Sequence, residues 1–235
     1  MGTPGHSPPY ALTVSGPREH RFGAHTGLLC LPGDATSFLA LAHGAGAGMQ
    51  HAFLEAMAGA LERRRVATLR FEFPYAAAGS RRPDPRPVLV ETVCAAVTEA
   101  ERLAGGLPLF AGGKSMGGRM SSHAAAEGRL EGVRGIVFLG FPLHPAGRPG
   151  VERAAHLTEV RRPMLFLQGT RDTLADLALL APVCERLGAR AQLHAVEGAD
   201  HGFHVLKRSG RSDADVIEEL ATEVECFTSK HSSPA

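Results

Sequence analysis

The stretch "FAGGKSMGGRM", residues 110–120, can be read in two incompatible ways. In one, Gly112-Gly113-Lys114-Ser115 is the tail of a phosphate-cradling loop. In the other, Gly113-Lys114-Ser115-Met116-Gly117 is a G-x-S-x-G turn that presents a nucleophilic serine. A phosphate loop requires G-x-x-x-x-G-K-[ST], and counting back from Gly113 puts its first glycine at position 108, which is Pro108. Proline fixes φ and has no N–H, so it cannot give the backbone that such a loop needs. The nucleophile reading stands, and it makes demands on the rest of the chain.

A serine in that turn sits between a buried strand and a close-packed helix, so the residues two positions either side must be small. "LFAGG" before Ser115 and "GGRMSSHAAAEG" after it meet this. A hydroxyl needs a base within hydrogen-bond reach to attack near neutral pH. The expected chain order is Ser, Asp/Glu, His, each past the C-terminal end of a strand. Asp172 in "TRDTLAD" follows the apolar run "PMLFLQG", and His201 in "DHGFH" follows "AQLHAVEGAD". His194 and His204 are weaker candidates for the base, and Asp176 and Asp200 for the acid. The position after the preceding strand reads Gly140-Phe141-Pro142 and holds no carboxylate. Oxyanion donors are expected from the backbone N–H of Met116 and of Ala45 in the loop His43-Gly44-Ala45-Gly46-Ala47-Gly48, with His43 bracing that loop.

The flanking sequence has the matching architecture. Short apolar runs at 37–44, 66–73, 107–113, 133–141 and 163–170, bounded by Gly or Pro, suit strands buried on both faces. Between them lie helical patterns at 51–65 and 88–104, and further helices fit 116–127, 173–187 and 214–227. A weaker pair of strands is expected near Leu12 to Val14 and Leu28 to Leu31. Alternating strands and helices imply βαβ crossovers. The expected fold is α/β: a single doubly wound domain over 11–228, with a mostly parallel sheet and helices on both faces. A flexible lead-in over 1–10 and a tail over 229–235 flank it.

The chain has 235 residues, with 25 Lys and Arg against 24 Asp and Glu and no long block of one sign, so the footprint of a nucleic-acid binder is missing. Arg63-Arg64-Arg65 reads as a solvated helix end. The four cysteines are far apart, which suits reduced, mostly buried thiols and leaves no zinc-ligand spacing. Neither a signal peptide nor an apolar run of membrane-spanning length is evident, so a cytoplasmic protein is expected, without metal or cofactor.

The blocks "LAHGAGAGMQHAF", "LRFEFPY", "RRPDPRPVL", "AGGKSMGGRM", "LGFPLHPAG", "LFLQGTRD" and "GADHGFHV" follow in an order that resembles the α/β-hydrolase superfamily over about residues 20–228. Within it the chain is most similar to the small dienelactone-hydrolase-like proteins, particularly the group similar to testis-expressed protein 30. Dienelactone hydrolases use a cysteine where this chain has Ser115. The resemblance implies the α/β-hydrolase fold and catalytic roles for Ser115, Asp172 and His201. Only about twenty residues separate "FLGFP" from the next strand, so no sizeable cap is expected. An open site suits a small-molecule acyl substrate, namely a short ester, thioester or lactone. The alternative is a non-catalytic interaction module on the same fold. Tyr75, Phe141, Leu143, His144 and Phe203 are expected to wall the pocket. Lys114, Arg119 and the cluster Arg81, Arg82 and Arg86 could meet a substrate carboxylate, but read first as solvated surface or structural pairs.

Overall fold

The structure is a computed structural model and describes residues 16–233. Eight strands form one sheet: β1 (Arg18–Phe22), β2 (His25–Cys30), β3 (Ser37–Ala42), β4 (Val66–Phe71), β5 (Leu109–Lys114), β6 (Val133–Leu139), β7 (Met164–Gly169) and β8 (Ala191–Val196). Their spatial order is β1-β2-β4-β3-β5-β6-β7-β8; β2 runs antiparallel to both β1 and β4, and the other neighbours pair in parallel. Among the described residues six α-helices connect or flank them: α1 (Ala52–Arg63), α2 (Pro74–Ala77), α3 (Arg86–Ala104), α4 (Met116–Ala126), α5 (Leu177–Leu187) and α6 (Asp213–Lys230).

The continuous apolar runs follow from burial of both sheet faces. On β3, Phe38, Ala40 and Ala42 face one core while Leu39 and Leu41 face the other. The first core takes Val93, Ala96 and Val97 of α3, Met116 and Met120 of α4, and Leu180 of α5. The second takes Leu54, Met57 and Leu61 of α1 and Val216, Leu220, Val224 and Phe227 of α6. A strand sandwiched in this way alternates between two apolar neighbours and needs no polar positions.

The doubly wound sheet expected from the sequence is present. The expected strands at 37–44, 66–73, 107–113, 133–141 and 163–170 correspond to β3 to β7, and Leu28 to Leu31 overlaps β2. The lead-in at 1–10 and the strand near Leu12 to Val14 lie outside the described residues. The helix expected at 173–187 begins only at Leu177, because the Asp176 side chain accepts from the Ala178 N–H and caps it there. Past residue 228, α6 continues to Lys230. The β6–β7 connection carries one 3-10 segment, Glu152–Glu159, and no cap domain. Arg63 and Arg64 do not stand free at the helix end: both pair with Glu218, tying α1 to α6. All four cysteines are free thiols, and Cys226 is exposed. Among the described residues no helix is long and apolar enough to cross a membrane.

Candidate active site

The sheet's parallel strands deliver three side chains to one edge. Ser115 follows the last residue of β5 and precedes the first of α4, with φ 51° and ψ −114°, a conformation that L-residues avoid and that marks a strained turn. The two flanking glycines explain how the turn fits. A Cβ on Gly113 would stand 2.3 Å from the Ala42 carbonyl oxygen, and one on Gly117 would stand 2.6 Å from the carbonyl oxygens of Ala42 and His43. The turn therefore presses directly against the end of β3. Although Ser115 occupies the N-cap position of α4, its side chain makes no capping hydrogen bond. The hydroxyl is turned elsewhere.

It meets His201, whose Nε2 lies 2.9 Å from Ser115 Oγ. On the other side of the ring, Nδ1 lies 2.7 Å from Asp172 Oδ2. Asp172 Oδ2 also accepts from Gln168 Nε2 at 2.5 Å, while Oδ1 accepts from the Leu174 N–H at 2.7 Å. The carboxylate side chain is fully buried and the imidazole retains 24% exposure. Hydrogen-bond partners of this kind fix the ring so that Nδ1 carries the proton and Nε2 can accept one. Gln168 was not singled out in the sequence, although one polar residue inside the buried run "MLFLQG" is the signal that could have found it.

The other candidates are engaged away from the site. His194 pairs with Glu219 of α6, and His204 with Asp213. The Asp200 side chain accepts from the Gly202 and His204 N–H groups and shapes the turn that carries His201. A second serine–histidine pair, Ser122 Oγ and His156 Nε2 at 2.8 Å, lies within the packing of α4. Ser122 Oγ also lies 2.8 Å from the Arg119 carbonyl oxygen, which can only accept, and this serine is fully buried. Buried in this way, the hydroxyl is closed to a substrate.

Lys114 is structural: its Nζ donates to the His201 carbonyl oxygen at 2.5 Å and sits over the rings of Phe53 and Phe203. Burial pushes its pKa down to about 8, against the pull of Asp172 and Asp200. The lysine beside Ser115 thus anchors the histidine loop. In the 43–48 loop, the Gly44 carbonyl oxygen accepts from His43 Nδ1 at 2.8 Å and from Tyr75 Oη at 3.3 Å, and His43 Nε2 accepts from the Phe73 N–H. Because the peptide is trans, the Ala45 N–H points to the side opposite that carbonyl. Met116 is the first residue of α4, where backbone N–H groups have no intrahelical partner.

Ser115, Met116 and Ala45 open onto a cavity of about 340 Å³ that is also lined by Pro83, Asp84, Leu89, Met120, Pro142 and Leu174. None of the five residues expected to wall the pocket lines it. Phe141 and Leu143 are fully buried in the core, Tyr75 braces the 43–48 loop, and Phe203 stacks on Phe53. His144 Nε2 accepts from the Asp176 N–H. All five stand near Ser115, His201 or the 43–48 loop, but core packing and loop hydrogen bonds turn them away from the cavity. Of the flagged cations, Arg86 and Arg119 line the cavity, whereas Arg81 and Arg82 are exposed and do not.

A profile of the alpha/beta hydrolase domain matches residues 35–229 of this chain. The chain belongs to the alpha/beta hydrolase family. Solved structures of the same fold include an alpha-beta serine hydrolase homologue from Coxiella burnetii, with 18% identity over 92% of this chain and 100% of that one and a TM-score of 0.69. A dienelactone hydrolase from Anabaena variabilis shares 22% identity over 92% and 99% of the two chains, with a TM-score of 0.68. A serine hydrolase without a lid from Xanthomonas campestris shares 20% identity over 93% and 98%, with a TM-score of 0.69. The short β6–β7 connection of this hydrolase-fold chain is in keeping with the lidless form.

Proposed function

We propose that this protein is a serine hydrolase that cleaves small carboxylic esters, thioesters or lactones through an acyl-enzyme. The observation that carries the reading is the unbroken hydrogen-bond chain from Ser115 through His201 to Asp172, built on a strained turn. Ser115 Oγ attacks the substrate carbonyl carbon while His201 Nε2 takes its proton. The carbonyl oxygen becomes an oxyanion, which the Met116 and Ala45 N–H groups stabilise; one such donor is worth about 3–4 kcal/mol in the transition state. His201 then gives its proton to the leaving alcohol or thiol as the C–O or C–S bond breaks. Asp172 holds the ring in the required tautomer and stabilises the imidazolium. A water molecule repeats the attack on the acyl group, His201 takes its proton and returns it to Ser115, and the acid departs.

A cavity of about 340 Å³ is at the small end of ligand sites, which span roughly 300–1,000 Å³. With no cap domain above it, the site suits compact acyl groups rather than long chains. The test is steady-state hydrolysis of short nitrophenyl esters. Asp172→Asn should lower kcat by about 10⁴ through the wrong imidazole tautomer, and Ser115→Ala should abolish acyl-enzyme accumulation. Unchanged turnover in folded Ser115→Ala protein would sink the proposal.

A further inference from the structure

Among the described residues six arginines, Arg21, Arg63, Arg64, Arg102, Arg129 and Arg211, have glutamate partners. The cavity beside Ser115 gathers three arginines that lack such a partner. It is lined by Arg86, the first residue of α3, by Arg119 in the first turn of α4, and by Arg153 in the 3-10 segment. Among the described residues none of these guanidinium groups has an ion pair or a side-chain hydrogen bond, and the buried Arg119 Nε is unpartnered. Only one carboxylate, Asp84, lines the cavity, and its Oδ2 accepts from the Tyr75 N–H rather than from any of these arginines.

The three cations are close enough to act on one another. Burial lowers the pKa of Arg119, and Arg153 and Arg86 lower it further. Behind them the rings of His123 and His156 stack with centroids 3.6 Å apart. Burial pushes these two imidazoles down to about 4 and about 3, helped by Arg86 and Arg119 at His123 and by His123 and then the same arginines at His156, so they add no charge near neutral pH. Gathering three like charges at one hollow, without acidic partners, costs free energy unless an anion arrives. Planar guanidinium groups bind carboxylate or phosphate through paired hydrogen bonds, and placement on three separate elements orients them in advance.

We infer that the cavity is an anion subsite, in which Arg86, Arg119 and Arg153 hold a carboxylate or phosphate group carried by the substrate of Ser115. This deepens the hydrolase reading and rests on it: the natural substrate is an acidic ester or thioester rather than a neutral one. Arg119 is on the turn that follows the nucleophile, so the anion would fix the substrate's distance from Ser115 Oγ.

Two measurements test this separately from catalysis. In the first, folded Ser115→Ala protein is titrated at fixed ionic strength with glutarate, inorganic phosphate and neutral glutaramide. At least one of the anions should bind tenfold or more tighter than glutaramide, and Arg119→Gln or Arg153→Gln in that background should remove most of the difference. Which anion binds tighter distinguishes a carboxylate source from a phosphate source. In the second, kcat/KM for nitrophenyl hemiglutarate is compared with nitrophenyl pentanoate. The charged ester should be preferred by about tenfold to a hundredfold, the range expected from one or two charge-assisted hydrogen bonds, with the ratio falling towards one in Arg119→Gln. Arg86→Gln and Arg153→Gln, at less buried positions, provide the same readout if Arg119→Gln does not fold. Cleavage of the neutral ester with no preference for either anion in either measurement would overturn the subsite and leave the hydrolase reading intact. Anion binding lost in the arginine variants, without hydrolysis of either ester, would uphold the subsite and overturn the hydrolase reading.

Discussion

A β-carbon at position 117 has nowhere to go, because two backbone carbonyl oxygens of the β3 end stand 2.6 Å from where it would be. Backbone cannot rotate aside as a side chain can, so the turn itself must shift. Gly117→Ala should therefore destabilise the fold by about 1–3 kcal/mol, read from urea unfolding, and should also weaken the Ser115–His201 contact and lower turnover. An unchanged midpoint would mean that the turn is looser than described. The grouping of these side chains was legible in the sequence: G-x-S-x-G spacing named Ser115 and both glycines, chain order past the apolar runs pointed to Asp172 and His201, and the three side chains lie within hydrogen-bond distance in series. The cavity wall was not legible. Phe141, Leu143 and Tyr75 stand near reactive residues in sequence, yet they point into the core or brace a loop. Arg153 went unremarked because nothing in "GVERAAHL" reveals that it folds back beside Ser115.

At the scale of elements, α4 is the member with the most at stake. Its N-cap is Ser115, its first turn carries Arg119, and its body carries His123, which stacks on His156 of the 3-10 segment. Both imidazoles are held well below their ordinary value, first by burial and then by cationic or imidazole neighbours including Arg86 of α3 and Arg119 of α4. In the unfolded chain they titrate near their model value of 6.5, and in the folded chain near about 4 and about 3. Between these values the unfolded state binds more protons, so stability rises with pH and is lost as pH falls from about 6.5 towards 4. His123→Phe with His156→Gln keeps a ring at 123 and a hydrogen-bond partner for Ser122 while removing both titrations. Its denaturation midpoint should fall less steeply over that range than that of the wild type; parallel slopes would refute the account of the pair. Element type was readable wherever both faces are covered, as in β3 to β7, because burial leaves no polar positions to confuse the pattern. It failed at β1, an edge strand of sequence "REHRF" with mostly exposed side chains, and at the 3-10 segment, which is too irregular to show a helical period.

The whole molecule is a sheet whose parallel strands end at one edge, so residues 86 and 87 positions apart in pairs such as Ser115 with His201 and Lys114 with His201 meet there. Two cores, one on each sheet face, hold that edge in place, and the lidless β6–β7 connection leaves it accessible. In the proposed mechanism this arrangement makes one serine a nucleophile. It is tested by treating the protein with a fluorophosphonate probe and mapping the adduct by mass spectrometry, alongside Ser115→Ala and His201→Ala. A stoichiometric adduct on Ser115, absent from both variants, is the predicted result. No adduct on a demonstrably folded protein, or labelling that survives in His201→Ala, would contradict it and favour a non-catalytic interaction module on the same fold.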